Sequence, residues 1–180
     1  MGAFMDIKTA ASARGAERDM IQADPAAERE GRPVTETAHP ERLALLYQGI
    51  LTGIVRLQSG KQPLVDAAAF QKRMESLLDE IEREGIKVGY RNQDIQDAHY
   101  PIIAFLDETI RRSNDPNRNQ WTPLQAKRYG EAVAGEGVFE RLKIIRNRRD
   151  SQDLADVLEI YALCFFLGYQ GRYAVGDRSG

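Results

Sequence analysis

The sequence is poor in the residues on which most reactive chemistry depends. A single cysteine, Cys164, among 180 residues excludes an intramolecular disulfide framework and any paired-cysteine metal or redox site. Two histidines, His39 and His99, are too few for a multi-histidine metal centre. Long apolar runs are also missing: the longest, residues 160–167, falls well short of the roughly 18 residues a spanning helix needs. The N-terminus lacks the basic and apolar regions of a secretory signal. Met1-Gly2 is followed by Asp6, where a myristoylation site would carry Ser or Thr. No charge dominates. Lys and Arg total 25 against 27 Asp and Glu, for a net charge of −2 and a pI near 5.8, which argues against a general nucleic-acid binder. A soluble chain in a reducing, cytoplasmic setting is expected.

What the sequence does contain is helical period. Residues 1–40 mix charges with Pro25, Pro33 and Pro40 and hold no long pattern, so a disordered tail or added residues are expected there. From Glu41 the stripe Leu43, Leu46, Tyr47, Ile50, Ile54 and Leu57 predicts one helix ending at Ser59-Gly60. Pro63 is expected to open a second helix, striped by Ala67, Phe70, Met74, Leu77, Leu78 and Ile81 and ended by Gly85 and Gly89. A third helix, from about Tyr90 to Arg112, presents Ile95, Ala98, Ile102, Leu106 and Ile110 on one face. Pro101 should kink it or divide it in two. Ser113 to Gln120 reads as a loop. Thr122 and Pro123 then read as the N-cap and first residue of a short helix. Gly135 and Gly137 suggest a break before Val138, Phe139, Leu142 and Ile145, and a last helix runs from about Gln152 to Leu167. No segment alternates with period two, and no internal repeat is evident. The fold class predicted is all-α, with six or more helices and Trp121, Phe139, Tyr161 and Phe165 among the buried aromatics.

Few residues are candidates for chemistry. The glycines between Gly130 and Gly137 lack the Lys-Ser/Thr and the preceding strand of a phosphate loop. Asp107 and Glu108 are neighbours on the third helix, and neighbouring side chains there point about 100° apart. They read either as surface partners of Arg111 and Arg112 or as the acidic rim of a groove that receives a partner. Arg141, Lys143, Arg146, Arg148 and Arg149 either complement a helix C-terminus or face a membrane surface or an acidic partner. His99 has Asp94 and Asp97 nearby but no strong ligand one turn away. Cys164 sits on an apolar face and reads as core. No metal, cofactor or catalytic residue is expected.

One ordered set of residues goes further. Phe105-Leu106-Asp107-Glu108 is followed by Trp121, by Tyr129-Gly130-Glu131 and by Gly135-Glu136 with Val138, Phe139, Arg141 and Leu142. The series closes with Leu158-Glu159-Ile160-Tyr161, Leu163-Cys164, Leu167-Gly168-Tyr169 and Gly171-Arg172-Tyr173. Over residues 41–175 this resembles the DotU/TssL (IcmH-like) family of type VI secretion and its type IVb relatives. The resemblance implies a hook-shaped pair of small bundles, six to eight helices in all, facing the cytoplasm. It implies a non-catalytic scaffold between the inner-membrane TssM/TssJ complex, with TssJ reached indirectly, and the baseplate, chiefly TssK. It also implies a weak homodimer and a partner-binding groove at Asp107 and Glu108. Family members continue into a C-terminal membrane helix, so residues 176–180 are expected to be a stub ahead of an inner-membrane anchor. Arg172, Tyr173, Arg146, Arg148 and Arg149 are then expected near lipid. Two alternatives stand beside this: a DotU-type subunit of a type IVb (Dot/Icm) system, and a small hydrolase holding a divalent ion with Asp107, Glu108, Glu136 and His99.

Overall fold

A computed structural model of the chain describes residue 39 and residues 42–130 and 134–173. The expected tail, His39 apart, and the expected C-terminal stub lie outside these residues. The described residues form α1 (Leu43–Leu46), α2 (Gln48–Gln58), α3 (Ala67–Val88), α4 (Asn92–Arg112), α5 (Leu124–Tyr129), α6 (Ala134–Arg146) and α7 (Gln152–Phe166), with a 3-10 turn at Arg118–Gln120. No strand occurs among them. The all-α class is as expected.

The fold is organised around α4, which packs against α2, α3, α5, α6 and α7. Every residue from Asp97 to Ile110 is buried, on all sides of the helix. The stripe of five apolar positions therefore understates the burial. Its signal is the unbroken segment Pro101-Ile-Ile-Ala-Phe-Leu106, apolar around the full circumference, as in helices enclosed on every side. Enclosure also explains Pro101, which lies inside one continuous helix and does not divide it. A proline in a helix interior costs about 3 kcal/mol, and packing on all faces offsets it.

Four element boundaries differ from the expected ones, each for a local reason. The first predicted helix is split at Tyr47, whose ring is fully buried and whose hydroxyl donates to the Ile95 carbonyl and lies 2.7 Å from His99 Nδ1. The second begins at Ala67, not at Pro63, because the Asp66 carboxylate accepts from Ala69 N at 2.9 Å and caps it. That helix runs through Gly85 to Gly89, whose φ of +109° ends it. Gly85 instead lets α3 and α4 approach closely, since a Cβ there would sit 2.8 Å from Ile95 Cδ1. In α6, Gly135 and Gly137 lie within the helix. Glycine costs a helix only about 1 kcal/mol, and buried Val138 and Ile145 hold α6 in place.

Trp121 and Tyr161 are buried, while Phe139 and Phe165 are half-buried and stack with ring centroids 5.6 Å apart. Cys164 is in the core, where burial pushes its thiol pKa up. The segment Gln152–Tyr173 is long and apolar enough to cross a membrane by composition. However, 44% of its most apolar window is buried in the fold, and α7 packs against α4 and α1 as a core helix.

His99 gives a testable consequence. It has no solvent exposure, and burial pushes its pKa down to about 3. Between pH 6.5 and about 3 the unfolded chain binds a proton that the folded chain refuses, so stability falls as pH drops. Urea denaturation should show this loss between pH 6.5 and 4.5, and His99→Gln should reduce the slope. An unchanged slope would exclude His99 as its source.

Candidate functional site

The C-terminal half of α4 carries the two carboxylates singled out from the sequence, and the structure commits each to a different neighbour. Asp107 is 8% exposed. Its Oδ1 accepts from Trp121 Nε1 at 2.8 Å and from Leu124 N at 3.0 Å, and its Oδ2 from Gln125 N at 2.9 Å. The carboxylate thus caps α5 from a distance in sequence, and α5 begins at Leu124 with no cap from Thr122. Burial pushes the Asp107 carboxyl above its usual range, against the pull of these three donors. A remote cap leaves no local pattern, which is why Thr122 and Pro123 misled the sequence reading.

Glu108 points the other way, as adjacent helical positions must. It is 5% exposed, and its two oxygens accept from Gln170 N at 2.9 Å and Gly171 N at 2.7 Å. Arg112 lies 3.6 Å from the same carboxylate, the one-turn pair expected from the sequence, and also donates to the Gln170 side chain. Glu108 thereby fixes the chain where it turns out of α7. Gly168 and Gly171 make that turn with φ of +108° and +57°, a region that disfavours other residues.

Glu108 also lines a cleft of about 680 Å³. One wall is the end of α2 with the following loop, Leu57 to Pro63, and the other runs from Arg112 to Asp115. Gly168 and Gln170 close one end. The two loops are tied together: Leu64 N donates to Asp115 Oδ2 at 2.7 Å, and Asn117 Nδ2 donates to Leu64 O at 2.9 Å. Asp107 is not on the cleft lining. Of the expected pair, only Glu108 lines this cleft.

The basic cluster divides as well. Arg148 donates to Asp94 and Asp97, and Arg141 Nε donates to Asp97 at 2.9 Å. Arg141 also lies over the Tyr100 ring, 4.7 Å from its centroid. These arginines line a second hollow of about 390 Å³ between α4 and α6. Arg148, expected near lipid, is half-buried and folded against α4. Arg146 and Arg149 are exposed. Arg172 sits over the Phe139 ring at 4.8 Å, and Tyr173 is 68% exposed.

The four residues of the hydrolase alternative do not converge. His99 is buried beside Tyr47, Glu136 is exposed on α6, and Asp107 and Glu108 diverge. Among the described residues no group of three His, Cys, Asp or Glu is placed to hold a metal ion.

Residues 42–180 match the family model described as Type VI secretion system protein DotU. The chain belongs to this family. Its fold is similar to the cytoplasmic domain of TssL from Acinetobacter baumannii, with a TM-score of 0.67 and 29% identity over 76% of this chain and 88% of that one. It is also similar to SciP/TssL of the type VI system of enteroaggregative Escherichia coli 042, with a TM-score of 0.65 and 25% identity over 77% and 80% of the two chains. No curated protein sequence matches.

The remote cap makes a sharp prediction for this DotU-family fold. Asp107→Ala leaves three buried donors without an acceptor, each costing about 1–3 kcal/mol, and should destabilise the protein by several kcal/mol. Trp121 is the only tryptophan, so its emission maximum should change in the folded variant as the indole loses its partner. Unaltered emission and unfolding midpoint would show that α5 is held by something else.

Proposed function

We propose that the protein is a non-catalytic scaffold subunit of a type VI secretion membrane complex. In this role it joins the inner-membrane TssM/TssJ assembly to the cytoplasmic baseplate through TssK. The observation that carries this reading is Glu108, at once a wall of the cleft and the acceptor that sets the chain's course out of α7. A partner seated in the cleft would touch the group that orients the segment leading toward a membrane anchor. The buried carboxylates of α4 support the same reading, since each accepts from backbone N–H groups or guanidinium groups. The two solved structures named above are TssL proteins, and one is named as a type VI protein. Together with the family description this favours type VI over the type IVb alternative.

In this proposal a single membrane-spanning segment follows Tyr173 and the helical domain faces the cytoplasm. Phe166, 87% exposed at the end of α7, and exposed Tyr173 then lie toward the bilayer, with Arg172 beside them. Aromatic and basic side chains are suited to that interface. Arg146 and Arg149 of the basic cluster are exposed and would join them. A weak homodimer belongs to the same proposal.

The test fills the cleft and spares the internal clamps. Gln62→Arg with Asn114→Arg places two bulky cations on its walls, at positions that are half-buried and exposed. Capture of TssK should weaken tenfold or more, equivalent to about 1.4 kcal/mol, with the helical circular dichroism spectrum unchanged. Unaltered affinity would remove the cleft from the interface.

A further inference from the structure

His99 and His39, the only two histidines of the chain, are held in opposite ways. His99 lies wholly in the core, its Nδ1 2.7 Å from the Tyr47 hydroxyl. His39, before α1, is half-buried, with both ring nitrogens facing oxygen atoms. Its Nδ1 lies 3.2 Å from the Val88 carbonyl, and its Nε2 lies 2.7 Å from Asp153 Oδ1. A carbonyl and a carboxylate only accept. A neutral imidazole carries one N–H and so can serve one of them, setting a lone pair against the other. Only the imidazolium donates to both.

We propose that His39 is a proton-operated latch, held against the end of α3 and the start of α7 when charged and released from them when neutral. The ring lies over Tyr90, with centroids 3.8 Å apart. Tyr90 in turn donates to Asp156 Oδ2 at 2.6 Å and accepts from Leu43 N, the first residue of α1, at 3.0 Å. The latch therefore closes over the polar seam that joins α1 to α7. From α7 the groups facing His39 are the carboxylates of Asp153 and Asp156. From the turn before α4 it is the Tyr90 phenol. The end of α3 contributes the Val88 carbonyl and Gly89, where a Cβ would stand 3.3 Å from Nδ1. Burial on its own lowers the pKa of His39. The bonds to Asp153 and Val88 outweigh it and hold the pKa above the usual 6.5. The sign follows: the latch is fully closed below pH 6.5 and opens as pH rises through the raised value.

The experiment is a proton NMR titration of the whole chain, with His99 as an internal ring that stays neutral across the range. The His39 midpoint should exceed 6.5, and Asp153→Asn should bring it to 6.5 or lower. Cross-relaxation between the His39 and Tyr90 rings should be strong at pH 6 and fade above the midpoint. A midpoint at or below 6.5, a midpoint indifferent to Asp153→Asn, or ring contact that persists after deprotonation would each overturn the latch. If Asp153→Asn does not fold, His39→Gln decides. Relative to that variant the native chain should lose stability between pH 6 and 9, and parallel stability curves would refute the proposal.

Discussion

Everything in this fold depends on keeping ionised and polar side chains inside a helix surrounded by protein. Buried charges are costly unless paired with good geometry, and α4 carries Asp94, Asp97, His99, Asp107 and Glu108 in its buried positions. They are answered from several parts of the chain. Asp94 and Asp97 take the arginines of α6 and of the turn after it, His99 takes Tyr47 between α1 and α2, Asp107 takes the start of α5, and Glu108 takes the turn after α7. Apolar packing alone would let neighbouring helices slide or exchange. A helix that leaves a buried acceptor empty if it docks elsewhere has one place to go.

The same arithmetic explains how one dipeptide takes two unrelated roles. Asp107 and Glu108 are adjacent in sequence and about 100° apart around the helix, so one faces α5 and the other the cleft. The first is an element of folding and does not line the cleft. The second belongs to the fold and to the cleft at once.

How much of this was legible in the sequence depends on whether the signal was local. Apolar period located the helices, and the ordered motifs from Phe105 to Tyr173 pointed to the family before any coordinates. Caps supplied by neighbouring residues, such as Asp66 and Ser151, are of the kind a sequence displays. The cap of α5 comes from Asp107, some seventeen residues before Leu124, and no pattern near Thr122 announces it. Glycine misled twice, at Gly85 and within α6, because it marks close approach as readily as chain reversal. Arg148 looked like one free cation among several, and only the folded chain brings it to Asp94 and Asp97. His39 lay in a stretch without period, and its partners are drawn from α3 and α7.

The two bonds from Glu108 to the amides of Gln170 and Gly171 also bear on mechanics. Tension applied to the chain beyond Tyr173 would not first unzip α7 from its end. It would meet a pair of charge-assisted bonds to a single carboxylate, side by side and loaded together, and behind them the buried ring of Tyr169. The carboxylate belongs to the most enclosed helix of the fold, so the load is delivered to the centre of the molecule and shared by every helix packed on α4. A subunit pulled from one end would therefore behave as a stiff link, yielding as a whole and not by peeling.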